Sequence, residues 1–203
     1  MENFKYFSHM YLNDWIYWDE QFSNGIKSKS RKMGLKSIQE AAKYYKISRN
    51  FKIIKSEERL SYALEQLKLV KGPVTKFNFC KKVTDLSNIY KKKYKQNTIS
   101  ASSKFMWLRF RSPVLIYDSR AVRYLKNNNY LSGNVNYEKF SAAWLSAYGD
   151  YSNEINRICK DLHKSKEYTR AHEYSDKEVK LITATDWFKE RVFDKYLWFN
   201  AES

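Results

Sequence analysis

Apolar side chains recur along most of this chain at steps of three and four, the spacing that places them on one face of an α-helix. Phe4, Phe7, Tyr11, Trp15, Trp18 and Phe22 form a wide aromatic stripe, and Gly25 is its expected stop. Ser37 and Glu40 have capping-box spacing ahead of Ala41, Ala42 and Tyr45. Ser56 opens a further pattern through Leu60, Leu64 and Leu67, which Gly72 and Pro73 close. Phe79, Val83, Leu86 and Tyr90 mark the next helix, which runs into the basic end "KKKYK".

The second half repeats the theme. A helix over about 102–112 ends at Pro113, which cannot continue it, and Asp118 is a good N-cap for a helix carrying Ala121, Val122 and Leu125. "NNNYLSGNVN" (127–136) is the clearest loop. Tyr137, Phe140, Trp144 and Tyr148 define one helix, and Ile155, Ile158 and Leu162 define another. "SKEYTRAHEYSD" reads as a polar connector, after which Thr185 or Asp186 caps a last helix that buries Trp187, Val192, Leu197 and Trp198. Only "FKII" and "VLIY" suggest short extended segments, and no repeat is present. The pattern predicts an all-α chain of nine or ten helices, packed as a single domain over residues 1–203.

Composition supports a packed core: 43% of the residues are hydrophobic, and 17 Tyr, 12 Phe and 6 Trp supply large apolar area. Charge changes the picture more. The formal balance is +16, and residues 27–126 carry 26 basic against 6 acidic side chains, a local balance of +20. The two ends together carry 12 basic and 16 acidic ones, a balance of −4. A centrally concentrated excess of this size implies a polyanionic partner, and residues 27–126 are the expected nucleic-acid-facing region. Lys27, Lys29, Arg31 and Lys32, Lys91, Lys92, Lys93 and Lys95, and Arg109, Arg111 and Arg120 are the candidate contacts. DNA stands ahead of RNA as the expected form.

Several classes of function lack their signatures. There is no Gly-rich or Walker-type phosphate loop. His9, His163 and His172 form no HExxH pair, and Cys80 and Cys159 have neither metal-ligand spacing nor a disulfide framework, so no metal or cofactor is expected. The two cysteines read as buried thiols. No apolar run approaches 18 residues and "MENFKYF" is not a secretory signal, so the expectation is a cytoplasmic protein without a membrane partner.

One stretch carries candidate chemistry: "ASSKFMWLRFRSPVLIYDSR", residues 101–120. A helix from residue 102 climbs about 12 Å between Lys104 and Ser112 at 1.5 Å per residue. An extended "PVLIYD" run can travel back roughly 16 Å at about 3.3 Å per residue, returning Asp118 to the level of Lys104. A neutral lysine amine can attack a sugar C1′, and a carboxylate can move the proton or stabilise cationic charge on the sugar.

"SASSKFMWL…VLIYDSRAV" resembles the core of the helix-hairpin-helix DNA glycosylases, in particular the 8-oxoguanine branch. The resemblance implies an all-α domain that extrudes a base, with Lys104 at the position of the Schiff-base lysine and Asp118 at that of the catalytic aspartate. Ser100, Ala101, Ser102 and Ser103 stand where that family has a glycine-bearing hairpin, and the lysine-to-aspartate interval is several residues shorter. The same segment also resembles bacterial proteins associated with phage defence, in which a Ser-Lys helix is followed by Pro and a "YDS" step.

Two other readings come from different classes. Arg157 and His163 in "RICKDLH" have the Arg-x5-His spacing of HEPN-type ribonucleases, in which the arginine stabilises the phosphate and the histidine handles the proton. Six residues advance a helix by about 240°, however, so the two side chains share no face of a regular helix. Alternatively, a basic helical module needs no active site: it binds nucleic acid, or the acidic face of a protein partner, as a subunit of a larger system.

Overall fold

The computed structural model describes residues 4–51 and 59–201. Within them the chain forms ten α-helical segments, one π-helical turn and three short 3-10 helices, with no β-strand. The all-α expectation holds, and so does the number of helices. Ser56 and most of "FKII" lie outside the described residues.

The chain divides into two compact units: a terminal unit of Met1–Tyr17 with Asp118–Ser203, and a central unit of Trp18–Tyr117. The sequence reading took the whole chain as one domain with its charge boundary near residue 126. The unit boundaries fall between Tyr17 and Trp18 and between Tyr117 and Asp118.

The terminal unit contains α1 (Phe4–Asp14), α7 (Ser119–Asn127), the long α8 (Tyr137–Asp161), α9 (Asp176–Thr183) and α10 (Asp186–Phe199). Its core is aromatic. Trp15 meets Trp187 at 4.3 Å between ring centroids, Phe4 meets Tyr196 at 4.9 Å, and Trp144 meets Phe193 at 5.0 Å. Burying each such ring stabilises the fold by about 1.5–3 kcal/mol. The charged group at its centre is paired: Arg191 holds Asp194 at 2.8 Å, and the Trp144 indole N–H donates to the other Asp194 oxygen at 2.9 Å. Burial pushes the Asp194 carboxyl above its ordinary range, and those two donors pull against the shift.

One helix replaces the two expected over 137–162. Gly149 lies inside α8 on the solvent side, where no packing opposes a continuous helix. The polar connector folds into 3-10 turns (Leu162–Tyr168 and Arg170–Glu173) before a capping box at Ser175 and Glu178 starts α9. Trp187, Val192 and Leu197 are buried as expected, whereas Trp198 is 37% exposed. Cys159 is buried and its thiol is pushed up to about 11 by that burial, whereas Cys80 is only partly covered.

The central unit comprises α2 (Glu20–Lys27), α3 (Arg31–Tyr44), α4 (Ser61–Leu69), α5 (Phe79–Tyr94) and α6 (Ile99–Phe110). A π-helical turn, Trp15–Asp19, follows α1 and leads into α2. Its wider winding shifts the register of the aromatic stripe. Trp18 consequently emerges 44% exposed, and Asp19 is wholly buried and accepts from the Tyr45 hydroxyl at 2.7 Å.

Gly25 does not end the helix. It sits inside α2 against α3, where a Cβ would lie 1.8 Å from the Ser37 hydroxyl oxygen. The glycine therefore serves a close helix crossing, and Ser37 belongs to that crossing rather than to a cap. The true N-cap of α3 is Ser30, seven residues earlier than the sequence motif indicated.

The rest of the central core joins α4, α5 and α6. Phe51 packs on Tyr94 at 4.8 Å and on Phe105 at 5.9 Å. The buried Tyr90 hydroxyl donates to the Ala63 carbonyl at 2.6 Å. After α6 the chain reverses at Arg111, which has the left-handed φ of 60°. The run 114–117 then returns, and the Tyr117 N–H donates to the Ser103 hydroxyl at 2.9 Å. The reversal predicted from Pro113 is present.

Candidate nucleic-acid interface

The sequence "KSKSRK" (27–32) is the junction between α2 and α3. Ser30 caps α3 by accepting from the Met33 N–H at 3.3 Å, and Ser28 accepts from the Ser30 N–H at 3.1 Å. Lys29 therefore immediately precedes the cap, and Arg31 and Lys32 are the first two helical residues. All three are exposed, and the first turn holds no acidic residue.

This placement runs against helix electrostatics. Aligned peptide dipoles put about half a positive charge at a helix N-terminus, so a base there costs roughly 0.3–1 kcal/mol where an acid would be stabilising. Like charges crowd the same place: partial burial, and then the nearby Arg111 guanidinium, pull the Lys27 amine below its ordinary value. Arg31 has local compensation, donating to Ser61 at 2.7 Å and lying 4.0 Å from Glu65. Lys29 and Lys32 make no ion pair among the described residues. An anion at this N-terminus would find backbone N–H groups, the dipole and three bases together.

The second cluster has an ordinary explanation. Lys91, Lys92 and Lys93 occupy the last turn of α5, and Lys95 is its left-handed C-cap with φ of 55°. Cations at a helix C-terminus are stabilising, so these lysines would be expected there without any ligand. Their position still matters. The Lys93 amine lies 5.4 Å from the centroid of the Tyr62 ring, next in sequence to the Ser61 that Arg31 reaches. The two basic clusters thus converge on the first turn of α4.

Of the three candidate arginines, Arg109 and Arg120 are committed elsewhere, whereas the Arg111 guanidinium lies near Lys27. Arg109 donates to the Leu67 carbonyl and lies over the Phe110 ring at 4.6 Å, and burial lowers its pKa. Arg111 makes the turn after α6. Arg120, in the terminal unit, lies 4.0 Å from the centroid of Trp198.

Lys104 sits deeper in its helix than the sequence suggested. α6 begins at Ile99, so Ser100–Ser103 are helical and Lys104 is at its sixth position rather than its start. Lys104 is 4% exposed, donates to the Ser100 hydroxyl at 2.8 Å, and lies 5.9 Å from the Tyr45 ring centroid. Phe105, Trp107, Leu108 and Ile116 are core residues. Asp118 belongs to the terminal unit and caps α7, accepting from the Arg120 N–H at 3.0 Å.

Arg157 is exposed on α8, and His163 lies beyond its end in the following 3-10 turn, where its Nδ1 is 3.2 Å from the Lys160 carbonyl. No group of three or more metal-ligating side chains occurs among the described residues. No helix there is long and apolar enough to cross a membrane.

The bases at 27–32 are legible in the sequence, but the helix start that they surround is not. The sequence places the start of α3 at Ser37, because Ser37 and Glu40 fit the capping-box template and Ser30, with Met33 three residues on, does not. No family model, curated protein or solved structure matches this chain.

Proposed function

We propose that the central unit is a nucleic-acid-binding module that grips the DNA phosphate backbone, with the first turn of α3 as its anchoring site. The observation that carries this reading is the crowding of Lys29, Arg31 and Lys32 at the positive end of a helix dipole. Bases there oppose the helix dipole, whereas a phosphate neutralises them and accepts from the helix N–H groups. Lys91, Lys92, Lys93 and Lys95 supply further backbone contacts through their convergence on α4. Phosphate contacts give affinity without sequence choice, so the module binds DNA broadly. Titration of duplex DNA across a salt series tests it: affinity falls steeply with salt, by a slope of about 0.9 per phosphate contact. Binding that is absent at low salt, or flat with salt, would overturn the reading.

A second reading keeps the chemistry implied by the glycosylase resemblance. A nucleophilic amine needs a water-poor surround, and the 4% exposure of Lys104 among core aromatic residues supplies one. In this version Lys104 attacks C1′ of an extruded nucleotide, the C1′–N bond breaks and the base leaves with a proton, in a phage-defence setting. Borohydride trapping on DNA carrying a damaged base tests it: an adduct that Lys104→Gln removes would establish the activity. Without such an adduct, binding alone is the function.

A further inference from the structure

A second surface of the central unit has a different character from the α3 anchor. The C-terminal half of α4, the segment after it and one face of α5 enclose a groove of about 220 Å³. Its apolar lining includes Leu69, Val70, Leu86 and Ile89. Leu86 forms a buried floor, while Leu69 and Ile89 are 60% and 36% exposed. Phe77, in the loop that joins the two helices, is fully exposed.

Lysines frame this apolar strip. Lys71 and Lys82 line the groove, and Lys76 and Lys81 flank it in sequence. The Lys82 amine donates to the carbonyls of Lys71 and Pro73 at 2.7 and 2.9 Å, which pins the loop and shapes the groove in advance. These partners are neutral, so the charge of Lys82 is not cancelled. The one carboxylate of the lining, Asp85, is already held by Lys81 at 2.7 Å. What is unmet here is apolar surface inside a cationic frame.

We propose that this groove docks an acidic amphipathic helix from a partner protein, its leucine-like side chains on Leu69, Leu86 and Ile89 and its carboxylates toward Lys71 and Lys82. The volume supports a peptide. It is smaller than the roughly 300–1,000 Å³ of small-molecule sites, and suits one or two inserted side chains. Two helical walls with an apolar floor are the setting in which a helix lays its apolar face into a groove. Nucleic acid is a poorer occupant, because a phosphate gains nothing from an aliphatic floor. The site therefore goes beyond DNA binding and would join this chain to an acidic protein in a larger assembly.

Fluorescence anisotropy with a labelled Leu/Glu peptide of helical periodicity tests the proposal. A scrambled peptide of the same composition and a Lys-for-Glu peptide serve as controls. The periodic acidic peptide should bind about tenfold tighter than the scramble, the margin that burying one large aliphatic side chain supplies. Leu69→Ser and Ile89→Ser should each erase that margin while leaving duplex DNA affinity unchanged. Both positions are exposed, so folding is retained. Equal binding of the scramble, preference for the basic peptide, or an undiminished margin in both variants would overturn the proposal. So would self-association in light scattering that Ile89→Ser abolishes, because the occupant would then be a second copy of the chain.

Discussion

The two units share a fold class and differ in how they handle charge. The terminal unit carries 15 basic and 15 acidic side chains, whereas the central unit carries 23 basic and 7 acidic ones, so the whole +16 resides in the centre. Helix starts show the same contrast. In the terminal unit α8, α9 and α10 open on Glu138, Asp176 with Glu178, and Asp186, each placed where the dipole favours an acid. In the central unit α2 opens on Glu20, but α3, α4, α5 and α6 have no acid in their first turns, and α3 opens on two bases. The acids at helix starts thus lie mostly in the terminal unit, although α1 and α7 have none there and α7 carries Arg120. Within the central unit α5 also carries Lys81 and Lys82 in its first turn, but Lys81 is paired with Asp85 and Lys82 with loop carbonyls, whereas Lys29 and Lys32 at α3 make no ion pair among the described residues.

That comparison breaks most visibly if the α3 anchor is not where DNA binds. Replacing Lys29, Arg31 and Lys32 together by Gln should lower duplex affinity by about one to two orders of magnitude and flatten the salt slope by about 2.7. Replacing Lys160, Lys164 and Lys177 of the terminal unit should change both little, and equal losses from the two triples would reduce the contrast to bulk charge. A smaller effect concerns the platform that carries the anchor. Gly25→Ala should destabilise the α2–α3 crossing by about 1–3 kcal/mol, as overpacking does, and Ser37→Gly should restore much of it. Denaturant melts of the single and double variants check this, and an unaffected Gly25→Ala would show that the crossing is loose. Smaller again is the cap of α7. Asp118→Ala should cost about 1 kcal/mol, and Asp118→Asn should melt near wild type, because Asn caps equally well.

Much of this architecture was legible in the chain because aromatic residues at helical spacing leave few alternatives. The periodic sets Phe79, Val83, Leu86 and Tyr90, and Tyr137, Phe140 and Trp144, are buried faces of α5 and α8. The loop at "NNNYLSGNVN" and the reversal at Pro113 also stand where their residues indicated. What was not legible depended on neighbours distant in sequence. A glycine that stops a helix and a glycine that admits another helix look alike until Ser37 is seen against Gly25. Register was equally hidden: the π-turn at Trp15–Asp19 needs no special residue, yet it exposes Trp18 and buries Asp19. At the candidate site the bases were visible and their place at the start of α3 was not. A cluster at 27–32 acquires a direction only once α3 is known to begin inside it. Lys104 shows the reverse, since Ser100–Ser103, which stand where the resemblance places a hairpin, are helical.

The most direct test of the account is one substitution with two readouts, Lys32→Glu. Lys32 is exposed, is the second residue of α3, and makes no ion pair among the described residues. If α3 keeps a base there for a ligand at the expense of its own dipole, the glutamate should stabilise the protein by about 0.3–1 kcal/mol while weakening duplex DNA binding. Thermal melts and a salt-series titration on the same preparation would measure both. The account predicts a melting temperature raised by about 1–4 °C together with a salt slope reduced by at least about 0.9. A lowered melting temperature, or unchanged DNA affinity and slope, would contradict it.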